Sequence, residues 1–257
     1  MILLLIPSIS YIELPLTIFL TFKYKHLFDT HFIFPCITLY IIKECFCMST
    51  CLHRYFAHKS FRCNRPTQFC LSLIGCLASQ GSPLWWASKH RRHHKYCDTI
   101  KDPHSPQVNT KLYAWIGWIY TEGPLGKGTD FEYINDFAKF PELYLFEIFP
   151  WLPVYFVHYL FYKYYNFESM IFISMWSSIL CQLLTLYFNV EFHSNNHTND
   201  TCKAKDIPTD LLSNIFGESY HKHHHKYPNL SKRPGIDIPY WTFIKPCLML
   251  NIFYLQP

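Results

Sequence analysis

Four apolar stretches of near membrane-spanning length constrain this chain most: roughly residues 2–22, 32–52, 143–161 and 170–192. A hydrocarbon layer needs roughly 20 apolar residues wound as a helix to cross it. Inside that layer every backbone N–H and C=O must be satisfied within the segment itself. The stretches therefore read as four transmembrane helices of an all-α integral membrane protein, although Glu13, Lys43, Glu44, Glu147 and several prolines interrupt them. Composition agrees. Only 16% of the residues are charged and 50% are hydrophobic, whereas soluble domains carry about 25% charged residues. A shorter run, residues 69–84, contains Gly75, Gly81 and Pro83 and reads as a buried or interfacial helix, not a fifth span. The length, 257 residues, suits one domain over 1–257. The first stretch starts almost at Met1 without a basic leader region, so it is read as a retained span and not a cleaved signal.

Charge sets the expected topology. The polar regions 53–142 and 193–257 hold 12 and 7 of the 23 lysines and arginines, while the connectors 23–31 and 162–169 hold two and one. The positive-inside tendency places both polar regions on the cytosolic side, where they would form a helical cap. On this topology Asn196-His-Thr, Asn199-Asp-Thr and Asn229-Leu-Ser, which match glycosylation acceptors, stay unmodified. The eleven cysteines are odd in number, and Cys36, Cys45, Cys47, Cys51 and Cys181 lie within apolar runs. They are read as reduced thiols packed as small hydrophobes, not as a disulfide framework. The net charge of +5 is distributed by topology among histidines and membrane segments, so no nucleic-acid partner is expected.

Three histidine clusters stand at the ends of apolar stretches or close behind them: His53-Arg-Tyr-Phe-Ala-His58, His90-Arg-Arg-His93-His94 and His221-Lys-His-His224-His225. An i, i+3, i+4 spacing puts three side chains on one helical face, which the second and third clusters satisfy. His53 and His58, five apart, stand about 140° apart around an ideal helix and can straddle a helix end. With His193 the set reaches nine imidazoles, more than one coordination shell holds, so two metals are expected. His223 should point away from them. His26, His31, His104, His158 and His197 are read as ordinary surface or core residues. Imidazole suits iron, copper, zinc or nickel. Iron is the one whose O2 chemistry attacks an unactivated C–H bond, whereas zinc is confined to hydrolysis or structure.

At these residues the chain resembles the membrane fatty-acid desaturases, specifically the stearoyl-CoA (Δ9) type. The family pattern is an H-x4-H box, two H-x-x-H-H boxes and an N-x3-H pair near the end of the fourth span. All are present, the last as Asn189-Val-Glu-Phe-His193. Trp86-Ala-Ser-Lys-His90, Asp102-Pro-His-Ser, Gly117-Trp and Gly217-Glu-Ser-Tyr-His221 match as well, and the likeness covers roughly residues 30–245. The resemblance implies a di-iron centre with His53, His58, His90, His93, His94, His193, His221, His224 and His225 as direct ligands. It also implies that Asn189 holds one iron through a water, and that Trp86 contacts the substrate. No catalytic residue is implied apart from the metal ligands. The implied protein is a four-helix membrane bundle under a cytosolic cap, in the endoplasmic reticulum, with a bent tunnel for an acyl chain. The implied reaction is O2-dependent formation of a cis double bond in an acyl-CoA or acyl lipid, with two external electrons per turnover.

The chain departs from the family pattern at Ser219, Lys222 and Tyr227, where Gly, Asn and Phe are usual, and none of the three is a ligand. Animal acyl-CoA members carry Arg and Asp after Trp-Ala; here Ser88 and Lys89 follow Trp86-Ala87. The sequence has neither the H-P-G-G motif of a fused cytochrome b5 nor a G-x-G-x-x-G. A separate donor such as cytochrome b5 is therefore expected, docking on a basic surface of Lys89, Arg91, Arg92, Lys95, Lys222 and Lys226. Two other functions fit the histidines: a related di-iron lipid hydroxylase, and a non-enzymatic membrane protein that stores or senses metal.

Overall fold

Proline and glycine punctuate the chain into helices, as the computed structural model shows for residues 9–123, 126–194 and 200–255. The acceptors Asn196 and Asn199, and His197, lie outside these residues. Helix α1 covers Ile9–Lys23. Asp29 then accepts the backbone N–H of His31 and starts a turn leading into α2, Ile33–Ile42, which continues as a π-wound helix through Ala57. Asn64 and Ser82 cap the next two helices, each followed by a proline in the first turn: α3 (Arg65–Cys76) and α4 (Pro83–Tyr96). The run 69–84, read as one helix, is thus divided between α3 and α4. Ser79 (φ 58°) and Gly81 (φ 87°) reverse the chain between them.

After a segment containing α5 (Trp118–Glu122), the chain continues as α6 (Tyr144–Ile148) and α7 (Leu152–Tyr164). The sequence Phe149-Pro150-Trp151-Leu152-Pro153 separates them. Proline lacks the N–H that a continuous helix requires, and the two helical stretches meet at 59°. Helix α8 (Trp176–His193) completes an unbroken helical stretch from Phe167. Among the described residues, two helices are long and apolar enough to cross a membrane, Thr30–Ala57 and Phe167–His193, or three if the bent pair counts as one span. Their outward faces suit lipid: Phe34, Ile37 and Ile41 on α2, and Phe156, Tyr159 and Tyr162 on α7, are exposed.

The inward faces carry polar groups. His158 on α7 bridges Glu13 on α1 (Nε2 to Oε1, 3.0 Å) and Ser174 (Nδ1 to Oγ, 2.8 Å). Lys43 donates to the Ser174 carbonyl and to the Ser178 hydroxyl. All five residues are buried, and they satisfy one another inside the bundle except at Glu13 Oε2, which has no partner.

Beyond α8 lie the short helices α9 (Leu211–Ile215) and α10 (His221–Lys226). Besides helices, the described residues include one two-stranded antiparallel sheet, β1 (Phe61–Cys63) with β2 (Phe253–Leu255) in the register Phe61↔Leu255. It brings the end of the described chain back beside the first histidine cluster. Trp85 and Trp118 stack at 5.5 Å within a core that includes Leu52, Trp86 and Phe216.

Candidate metal centre

The first histidine pair owes its geometry to the π winding. In that winding the N–H of His58 bonds to the C=O of His53 at 3.1 Å, so the wider turn brings His58 closer in line with His53 than the roughly 140° of an ideal α-helix. His53 and His58 therefore stand one above the other at the helix end, ring centroids 5.0 Å apart. Helix α4 supplies His90, His93 and His94, α8 ends on His193, and α10 supplies His221, His224 and His225.

The nine imidazoles fall into two sets. In the first, Nε2 atoms approach pairwise: His58 to His90 at 2.9 Å, and His90 to His94, His94 to His224 and His224 to His53 at 3.1 Å each. In the second, His193 Nε2 and His225 Nε2 lie 2.9 and 3.1 Å from His221 Nε2, and ligand atoms of His93, His193 and His225 lie within 4.8 Å of one another. His93 Nε2 is buried without a hydrogen-bond partner. The sets touch where His94 stacks on His225 at 4.1 Å.

Carboxylates hold the opposite ring nitrogens. His53 Nδ1 meets Glu218 at 3.1 Å, His93 Nδ1 meets Asp102 at 2.9 Å and His193 Nδ1 meets Asp98 at 2.9 Å. A proton held on Nδ1 leaves the Nε2 lone pair directed into the centre. Several lone pairs aimed at one another about 3 Å apart repel unless a cation lies between them. Two nitrogens each about 2.1 Å from a metal, at right angles, stand about 3 Å apart. The residues therefore fit two metal ions with imidazole ligands.

The electrostatics agree. Burial, with the neighbouring imidazoles, holds His58, His90, His94, His221 and His225 well below the ordinary histidine range; burial, Arg233 and neighbouring histidines do so for His224. Burial also opposes charge on His93, but the Asp102 carboxylate outweighs it and raises His93. Burial would raise Glu218, yet Arg233 and His53 bring it down to about 2.

A cavity adjoins both sets. His53, His90 and His221 face it beside Trp86, Phe188 and Met48. Trp86 stacks on His90 at 4.7 Å and donates its indole N–H to Gln80. Asn189, one turn before His193 on α8, lies on the same wall and is partly buried. On the π-wound continuation of α2, Glu44 reaches this cavity and accepts the Thr185 hydroxyl at 2.9 Å.

Some sequence expectations change. His104 is a buried core residue, and it stacks on His93 at 4.4 Å within reach of Asp102. His158 is buried in the intramembrane network described above. His223 points away from the metal sets, its ring 5.0 Å from Tyr227. Cys97 and Cys202 are joined as a disulfide, so these two are not the reduced thiols expected. The basic surface is smaller than expected. Lys89 is buried, 2.9 Å from both Glu122 and Asp130; Arg92 binds the same carboxylates, and Arg91 binds Asp136. Lys95, Lys222 and Lys226 remain exposed, with Lys222 paired to Asp200. Asp98, Arg233 and Asp237 escaped the sequence reading, and Glu218 entered it only within Gly217-Glu-Ser-Tyr-His221. The local signal for Asp98 and Glu218 is an acidic residue a few positions from a histidine cluster.

Comparison with known proteins completes the picture. A model of the fatty acid desaturase family matches residues 30–242. The chain is 30% identical over 210 residues to an sn-2 palmitoyl-lipid 9-desaturase of Nostoc sp. (strain 36), covering 74% of this chain and 69% of that one. It is 28% identical over 208 residues to an acyl-CoA C20 Delta5-desaturase of Anemone leveillei, covering 79% and 65%. It is 37% identical over 107 residues to a hex-5-enoyl-[acyl-carrier protein] acetylenase of Moorena producens (strain JHB), covering 37% and 30%. The chain thus spans less than two thirds of the last two relatives. With the family match extending over most of the sequence and all three histidine clusters inside it, this chain belongs to the fatty acid desaturase family.

Proposed function

We propose that this protein is an O2-dependent di-iron desaturase that places a cis double bond, at Δ9, in a saturated acyl chain during unsaturated fatty acid biosynthesis. The observation that carries the reading is the division of nine imidazoles into two convergent sets beside one largely apolar cavity. His53, His58, His90, His94 and His224 would hold one iron; His93, His193, His221 and His225 would hold the other, with Asn189 acting through a water. Two irons bound there supply the O2 chemistry that removes two hydrogens from adjacent carbons.

The chain's own residues do the rest. Trp86, Met48 and Phe188 give the acyl chain an apolar wall, and burial keeps bulk water from the imidazoles. Asp98, Asp102 and Glu218 keep the Nδ1 protons in place, so ligand orientation is set before substrate arrives. The substrate is read as an acyl-CoA. A second reading, an acyl lipid, draws on Ser88 and Lys89: both are buried in internal contacts, which leaves neither side chain free to hold a CoA head group. We further propose four spans, with α1 within the first, a cytosolic cap in the endoplasmic reticulum, and a separate cytochrome b5-like donor docking near Lys95 and Lys226.

Expression in a desaturase-deficient yeast, with fatty acids profiled and double bonds located, tests the reading. Mono-unsaturated C16 or C18 products are expected. Hydroxy acids without any monoene would point to the hydroxylase instead, and an unchanged profile in a strain retaining the protein would sink the assignment.

A further inference from the structure

Two cysteines far apart in sequence meet against the metal ligands. Cys97 ends α4, and Cys202 lies in the segment that leads to His221; a disulfide joins them across a separation of 105 residues, with Cα atoms 5.1 Å apart. Cys97 Sγ lies 3.8 Å from His193 Nδ1, and Cys202 Sγ lies 3.6 Å from His225 Nδ1. Both nitrogens belong to the second histidine set, and both are the ring nitrogens turned away from its centre. The neighbours repeat the link: Asp98, beside Cys97, accepts the N–H of Lys203, beside Cys202, at 2.7 Å, and the same carboxylate oxygen holds His193. The bond thus fastens together the two segments that orient His193 and His225. Cys202 is partly exposed and can be reached from outside.

Reducing compartments keep thiols reduced, and the disulfides that do form there are typically transient or redox-sensing. The groups around a ligating histidine typically change metal affinity 10–100-fold. We propose that Cys97 and Cys202 form a reversible oxidation site, a clamp whose closure tightens the hold of the second histidine set on its metal. The proposal rests on the reading above that this half of the protein faces the cytosol and binds iron. Closing the clamp removes one proton and one electron from each thiol as the S–S bond forms; a peroxide takes up both electrons and both protons and leaves as two waters. A pair of small thiols reopens it by exchange, becoming a disulfide themselves.

The test uses the full-length, iron-loaded protein in detergent, oxidised with diamide or reduced with dithiothreitol. Peptide mass spectrometry after alkylation reads the cysteines, and loss of iron to a chelator reads the clamp. Cys97 and Cys202 are expected to take label only after reduction. Reduced protein should then lose one of its irons about tenfold faster. Diamide should restore slow loss in wild type and in Cys70→Ser, whose cysteine is exposed and unbonded, but not in Cys97→Ser/Cys202→Ser. Equal labelling before and after reduction, a zinc ion held by the free thiols, or identical iron loss in both states would each overturn the proposal. The labelling arm decides whether the pair cycles even in protein that holds no iron. Iron retention decides the clamp even in protein that desaturates nothing, so failure of the desaturase reading is seen separately.

Discussion

Arg54 and Asp237, 183 residues apart in sequence, form a two-point ion pair at 2.6 and 3.1 Å with neither side chain exposed. Arg54 follows His53 of the first histidine cluster, and Asp237 follows the third cluster, so the pair locks two ends of the candidate centre together. Gly217 crosses directly over it at φ 73°, where a Cβ would fall 2.6 Å from both Arg54 Nη2 and Asp237 Oδ1.

Gly217→Ala should therefore destabilise the protein by about 1–3 kcal/mol, combining left-handed backbone strain with crowding of the ion pair. Asp237→Ala should cost about 3–5 kcal/mol, because it leaves the Arg54 charge buried without its partner. Thermal unfolding in detergent measures both. Melting temperatures within error of wild type would show that the pair does not hold these segments together.

Asp98→Asn and Asp102→Asn keep the size of the side chain while weakening its hold on the Nδ1 proton of His193 and His93. Each should lower iron affinity about 10–100-fold with the protein still membrane-bound. Iron content after dialysis against a graded chelator provides the readout, and unchanged retention counts against the orienting role.

His94→Ala and His225→Ala should abolish monoene formation in complemented yeast, since each removes an imidazole from a convergent set. His223→Ala should leave it near wild type, because that ring packs on Tyr227 outside the sets. A metal-storage protein would tolerate all three changes similarly, so the contrast between positions is the measurement.

Glu122 gives a pH signature outside the membrane segments. Burial alone would raise its carboxyl, but Lys127, Lys89 and Arg92 outweigh burial and hold it down at about 2. A carboxyl depressed in the folded state stabilises it above the unfolded pKa and loses that contribution as pH falls through the folded one. The melting-temperature gap between wild type and Glu122→Gln should thus be full above about pH 5 and close towards pH 2. A gap that persists unchanged at the acid end contradicts the assignment.

The histidine clusters were legible because their spacing is local: three residues on one helical turn write themselves as H-x-x-H-H. Their division into two sets was not legible, since His94 joins His58 while its neighbour His93 joins His193, a matter of which way α4 faces. The π winding at His53 left no sequence mark, so an ideal helix misplaces His58. Asp98, Glu218 and the Cys97–Cys202 bond depend on contacts between segments far apart in the chain. Lys89 illustrates a related limit: a lysine in a basic run reads as surface until Glu122 and Asp130 are seen to surround it. The spans were legible where apolar residues run unbroken. The bend between α6 and α7 follows from prolines whose effect on direction composition does not report.

His158 touches Glu13 on one side and Ser174 on the other, and Ser174 in turn receives Lys43. The first helix is thereby more than a tether. Exchanging it for a generic apolar anchor would strip His158 of its carboxylate and strand a polar group among lipid-facing helices. Chimeras that graft this protein's body onto a foreign leader should preserve the α1 carboxylate, or they will assemble with a fault at the centre of the bundle and not at its edge.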